Sequence, residues 1–204
     1  APGTAGVNDT TWLGEKVGGF GLGAGKRNRM VVRGGLADNA PTARSLPTPR
    51  EDNGSLSLAA DTGIRGNARV RVTGTLGDGP HGASGDKKGD FDWFKLQTRP
   101  GETIVVDPAG TRPDHIVIIT DAAGAPVAVT FGAGEVGQPA YFRPPDAGTY
   151  YVAIWPLDSI QLDPHDSGSG AGSTQAPGPY TLTIGSWKAD RDAVLVYLRK
   201  GDVL

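Results

Sequence analysis

The chain has no cysteine, one methionine and only three histidines in 204 residues, and each shortage removes a class of chemistry. Without thiols there is no disulfide framework, no Cys-based zinc site and no thiol nucleophile. His81, His115 and His165 never fall into His-x-x-x-His or His-Glu-x-x-His spacing, so the usual histidine-built zinc site is not encoded. No apolar run approaches bilayer-spanning length, no stretch keeps a helical period for long, and no signal peptide is evident. The opening Ala1-Pro2-Gly3 suits a chain trimmed after targeting, and equally an arbitrary starting point.

Charge is nearly balanced, at a formal −2, but unevenly placed. Residues 1–50 carry seven Lys or Arg against three acids, and the remainder carries thirteen against nineteen. The basic residues Lys26, Arg27, Arg29, Arg33, Arg44 and Arg50 lie among Gly and Pro with Phe20 as the nearest aromatic, so no stacking platform accompanies the charge and nucleic acid is not expected as a partner. The Gly-rich run from Gly18 to Gly25 is no phosphate loop, because Phe20 and Arg27 occupy positions that require Gly and Ser or Thr. It reads as a flexible connection.

What the chain does have is 32 Gly and 16 Pro in short clusters, with Val, Ile, Thr and Tyr filling the runs between them. That composition favours many short strands. Strands are predicted over 68–76, 92–98, 102–107, 114–121, 126–131, 139–143, 148–155 and 179–184, separated by turn signals, which argues for an all-β, antiparallel β-sandwich of jelly-roll type. The run His115-Ile116-Val117-Ile118-Ile119 is apolar on both faces and is expected to be central in its sheet.

The stretch from Gly89 to Gly101 organises the rest: two acids, Asp90 and Asp92, stand at the entrance of an alternating strand that closes in Pro100-Gly101. One hundred positions later Asp190, Asp192, Arg199 and Gly201 repeat Asp90, Asp92, Arg99 and Gly101, with Val194, Val196 and Leu198 in the same apolar parity. Residues 187–204 therefore read as the first strand of a second, truncated module. A second echo, at an offset of forty, matches Arg29, Val32, Gly34, Leu36 and Asp38 to Arg69, Val72, Gly74, Leu76 and Asp78. Residues 1–50 read as a Gly/Pro-rich leader containing a degenerate repeat (8–41) and a Pro- and Thr-rich linker (40–50).

The order Glu-x-Asn, Gly-Asp-x-Asp-x-Phe, Pro-Gly-x-x-Ile, Asp-His-Ile-Val-Ile, Asp-Ala-Gly-Thr-Tyr-Tyr-Val and Pro-Tyr-Thr-Leu-Thr-Ile, spread over residues 51–186, resembles the bacterial pre-peptidase C-terminal domain. The collagen-binding domains of clostridial collagenases are similar. The resemblance implies a non-catalytic β-sandwich attached to a secreted hydrolase, especially a peptidase, and located outside the cell. Its partners would be the other domains of the parent protein, and any catalytic centre would lie outside these residues.

The resemblance also implies a calcium site with ligands from Glu51, Asn53, Asp90 and Asp92, to which Asp78 and Asp86 could be added by their nearness in the chain. Hard cations take carboxylate and carbonyl oxygens, which these residues supply. The pattern is not an EF-hand, since counting from Asp86 puts Phe91 at the sixth position and Gln97 at the twelfth. The long stretch Gly77–Gly89 departs from the family and would either complete the site or displace it. The alternative is that the acids cap turns through side-chain to backbone hydrogen bonds.

Along 148–155 the parity puts Tyr150, Val152 and Ile154 on one face and Tyr151, Ala153 and Trp155 on the other. If the first face is core, Tyr151 and Trp155 form an outward aromatic strip beside Thr181 and Thr183, able to hold an extracellular polysaccharide or protein polymer. The alternative is that they cover a second module or pack under the loop 157–177. A nucleophile loop at Ser167-Gly168-Ser169 is not expected, because no strand feeds a helix there.

Overall fold

The computed structural model describes residues 15–17, 40–78, 90–111, 113–133, 136–170, 172–188 and 194–196. The chain divides into two compact units, Ala40–Lys188 and the two chain ends, Ala1–Asn39 with Ala189–Leu204.

In the larger unit two sheets face each other. The first holds five strands in the order β10-β6-β12-β4-β2, namely β10 (Ala140–Phe142), β6 (Thr103–Asp107), β12 (Gly178–Trp187), β4 (Ala68–Leu76) and β2 (Ala43–Ser45). The second holds six in the order β3-β5-β11-β7-β8-β9, namely β3 (Ala60–Arg65), β5 (Asp92–Thr98), β11 (Gly148–Pro156), β7 (His115–Thr120), β8 (Pro126–Ala133) and β9 (Val136–Gly137). Most pairs are antiparallel, but β2 with β4 and β3 with β5 run parallel. The fold is an all-β sandwich, as the strand spacing predicts.

The alternation in sequence becomes burial. On β4, Val70, Val72 and Leu76 point inward while Arg71 and Thr73 stay exposed. They meet Ile104 and Val106 of β6 and Leu182 and Ile184 of β12, and across the layer Phe94, Leu96, Val117, Ile119, Val152 and Ile154. Each such side chain contributes roughly 1.5–3 kcal/mol on leaving water. β7 lies between β11 and β8, and both its faces are apolar because Val117 and Ile119 pack in the main core while Ile116 and Ile118 pack against a second apolar cluster on the other face of the sheet. His115 opens it fully buried, with Nδ1 2.8 Å from the Pro113 carbonyl oxygen and the ring resting on Gly132, so it is a packed residue.

Turn chemistry fixes the strand ends. Gly101 has φ +78, which favours glycine, and the next residue, Glu102, is buried. Its carboxylate accepts from the Asn67 amide (2.9 Å), the Arg99 amide (3.0 Å) and the Ser186 hydroxyl (2.8 Å), tying three chain segments at one end of the sandwich.

Two departures from the sequence reading concern the edges. Ala43–Ser45, inside the stretch read as linker, is the edge strand β2, and the Arg44 guanidinium donates to the Thr62 carbonyl of β3. Three residues carry no period, so composition alone could not separate this strand from a linker. β3 was not predicted either: Gly63, at φ +67, interrupts the pattern, and its pairing with β5 shifts register between Asp61 and Arg65.

The second unit is described only in its two strands, β1 (Glu15–Val17) and β13 (Val194–Val196), which pair in parallel. The residues that carry the two sequence echoes there, Arg29 to Asp38, Asp190, Asp192, Arg199 and Gly201, lie outside the described residues.

Candidate metal centre

The acids at the entrance of β5 meet the leader because the leader is stitched to that strand. The Trp93 amide donates to the Asn53 carbonyl at 3.1 Å, and the Asn53 side chain returns Nδ2 to the Trp93 carbonyl at 3.3 Å. From the other side, the Gly77 amide donates to Asp90 Oδ2 at 2.9 Å and so places the end of β4, with Asp78 following, against the same spot. The φ of +95 at Gly77 is what lets the chain turn there.

The result is a convergence of oxygens. Carboxylate oxygens of Glu51, Asp78 and Asp90 all lie within 4.8 Å of one another. Asn53, Asp90 and Asp92 are buried, Glu51 is half-buried and Asp78 is exposed. Among the described residues, Glu51 Oε2 and Asn53 Oδ1 are both buried without a hydrogen-bond partner. Orphaned buried acceptors are rare, because leaving one unpaired forfeits its hydration.

Electrostatics agrees with the geometry. Burial, then the charges of Asp78 and Asp90, push the Glu51 carboxyl up to about 7. Burial and then the Asp90 charge raise Asp92 well above the usual carboxylate range. Like charges held in a poorly hydrated corner either take up protons or take up a cation. An oxygen-only donor set with orphaned acceptors fits a hard divalent ion such as calcium.

The structure thus brings the carboxylates of Glu51, Asp78 and Asp90 together; Asp92 stands beside them, near enough to feel the Asp90 and Glu51 charges and the Asn53 side chain, but outside that set, and Asp86 lies outside the described residues. Sequence reasoning missed Tyr180 of the opposite sheet. Its buried hydroxyl lies at the Asp92 carboxylate, and burial, then the Asp92 charge, pushes the phenol's ionisation upward. Its parity on β12 marks it as core, and only the packing of the two sheets puts its hydroxyl at the acids.

The aromatic strip is where expectation and structure part. Tyr150, Val152 and Ile154 do face the main core, so Trp155 faces the other way, yet only 8% of Trp155 is exposed and Tyr151 is half-buried. Trp155 packs with Leu56, Phe91, Trp93 and Ala153 in a second apolar cluster, its ring edge-on to Phe91 at 5.8 Å. The segment after β11 closes over this face. Trp93 Nε1 donates to Gln161 Oε1 and Gln161 Nε2 to the Gly54 carbonyl, both at 2.8 Å, and the Leu56 amide donates to the Pro164 carbonyl at 2.9 Å. Thr181 and Thr183 are not its neighbours, since β12 belongs to the other sheet. What remains is a pocket with about 330 Å³ of empty space, its open mouth included, lined by Trp93, Ile118, Trp155 and Pro164 among others. The Ser167–Ser169 stretch is a turn in which Ser169 exchanges hydrogen bonds with the backbone of Asp163.

No family model matches the sequence, and no curated protein matches it. Among solved structures, the chain is similar to a periplasmic lysozyme inhibitor of g-type lysozyme from Aeromonas hydrophila, at 12% identity and a TM-score of 0.38, covering 63% of this chain and 95% of that one. It is also similar to the pre-peptidase C-terminal domain of collagenase from Bacillus anthracis, at 14% identity and a TM-score of 0.34, covering 63% of this chain and 93% of that one.

Proposed function

We propose that residues 40–188 form a non-catalytic accessory module of a secreted multidomain hydrolase, a peptidase by family resemblance, and that a calcium ion held by Glu51, Asn53, Asp78, Asp90 and Asp92 stiffens it. The observation that carries this reading is the meeting of the leader, the end of β4 and the entrance of β5 in one poorly hydrated acidic corner with two orphaned acceptors. A cation there would neutralise the repulsion and lock three chain segments that otherwise push apart. The work of the module is then mechanical: holding the parent protein in shape outside the cell, where calcium is plentiful. No turnover is expected from this chain.

Calorimetric titration of the chain with CaCl₂ after removal of divalent ions, with MgCl₂ as control, tests the proposal. Heat with saturable stoichiometry for calcium, lost in Asp90→Asn, is expected. Absence of calcium-linked heat together with an unchanged melting temperature would sink it. A polymer-binding role through Tyr151 and Trp155 loses its support because Trp155 is covered.

A further inference from the structure

The two ends of the chain form one compact unit, although about 150 residues of the other unit separate them in sequence. We propose that these ends are two pieces of one further sandwich of the same design, a host copy, into whose β4–β5 connection residues 40–188 are inserted.

The pairing register carries the inference. In the larger unit β3 runs parallel to β5, with Ala60 opposite Phe94 and Asp61 opposite Lys95. In the other unit β1 runs parallel to β13, with Glu15 opposite Val194 and Lys16 opposite Leu195. Val194 and Leu195 are the residues that the offset of one hundred sets on Phe94 and Lys95. The same register then sets Glu15 on Ala60, an offset of forty-five, and at that offset Asn8 and Thr10 fall on Asn53 and Ser55. β1 thus stands where β3 stands, and β13 where β5 stands. Parallel neighbours need a crossover between them, so this agreement is not what an accidental edge contact would give.

The remaining correspondences follow in chain order. In sequence, Met30, Val32, Gly34 and Leu36 align with Val70, Val72, Gly74 and Leu76 of β4. Gly74 is required because the Tyr180 ring lies 2.5 Å from where its Cβ would be. The change of offset from forty-five to forty falls between β1 and Arg29, in the stretch that contains the Gly-rich run 18–25. After β13, Gly201 and Asp202 align in sequence with Gly101 and Glu102.

The insertion point is equally definite. Asp78 and Asp90 flank the β4–β5 connection of the inserted copy, and their counterparts Asp38 and Asp190 flank residues 39–189, which the inserted unit fills from Ala40 to Lys188. An inserted domain needs its two ends close together. Here Ala43 of β2 and Gly185 of β12 both lie opposite Arg69, on either side of β4. Two strand spacings put them about 10 Å apart at the same end of the sheet. Gly6 stands where the inserted copy has Glu51, and the acidic centre is therefore assigned to the inserted copy alone.

Hydrogen exchange on the polypeptide at its natural length tests this. Val72 is fully buried, so Val32→Asp should open the core of the host copy only. The expected result is exchange at 194–196 faster by about tenfold or more, with 92–98 and 148–156 unchanged. Exchange at 194–196 that ignores Val32→Asp would overturn the proposal. Matched cysteine pairs, in a chain with none of its own, do not depend on that variant: K16C/L195C and D61C/K95C are both expected to oxidise, and the out-of-register K16C/Y197C to stay reduced. A 16/195 pair that stays reduced while 61/95 closes would equally overturn it.

Discussion

Two regions of the sandwich attract attention in the sequence, the acidic entrance of β5 and the aromatic face of β11, and the structure treats them oppositely. At the aromatic face the chain covers its own apolar surface: the segment after β11 brings Gln161 to Trp93 and Pro164 to Leu56. Trp155 Nε1 has no partner among the described residues, but an uncharged N–H costs far less than a buried charge. At the acidic corner the chain does the reverse, packing like charges together and leaving acceptors unpaired. Residues that look functional are structural where their surroundings satisfy them, and point to a ligand where those surroundings do not.

This contrast can be broken most sharply at Trp155. Trp155→Ala should cost about 3–5 kcal/mol of stability, measured by denaturant unfolding, and leave calcium binding in place. A variant that unfolds normally but no longer binds a polymer would reverse the assignment of this face. Calcium at a thousandfold excess over its Kd should stabilise the chain by about 4 kcal/mol, which for a domain of this size raises the melting temperature by on the order of 10 °C. Gln161→Ala, which strands the Trp93 indole N–H, should cost about 1–3 kcal/mol, and Gln161→Glu, which keeps an acceptor, less.

The pH profile sharpens the acidic side. Glu51 titrates at about 7 in the folded chain against 4.5 in the unfolded one, so the folded state holds this proton more tightly. Without calcium its contribution is therefore fully present below pH 4.5 and is lost as pH rises through about 7. Asp92 acts in the same direction. Calcium should remove this decline, and Glu51→Gln should reduce it without any metal, leaving the part due to Asp92. A metal-free chain whose melting temperature climbs between pH 5 and 8 would contradict the geometry. The smallest effect belongs to the exposed Asp61–Arg65 pair, 2.7 Å apart, where Arg65→Ala should leave the melting temperature nearly unchanged because solvent screens the pair.

Long alternating strands were legible because burial on one face writes a period of two: β4, β5, β11 and β12 fall where Val70 and Val72, Phe94 and Leu96, Tyr150 and Val152, and Leu182 and Ile184 place them. β2 was not, since three residues carry no period, and β3 was not, since Gly63 breaks it. Glu51, Asn53, Asp90 and Asp92 were drawn from a motif order and Asp78 from its place in the chain. Tyr180, from the opposite sheet, had no such signal.

The class of fold and the inward-facing residues are readable from the order of amino acids, because hydrophobic parity is local and survives without knowing any partner. That Trp155 is covered, that Tyr180 meets Asp92 and that the two chain ends share one unit emerges from the folded chain alone. Those outcomes depend on which distant segments meet, and a contact between residues 15 and 194 leaves no mark on the neighbours of either.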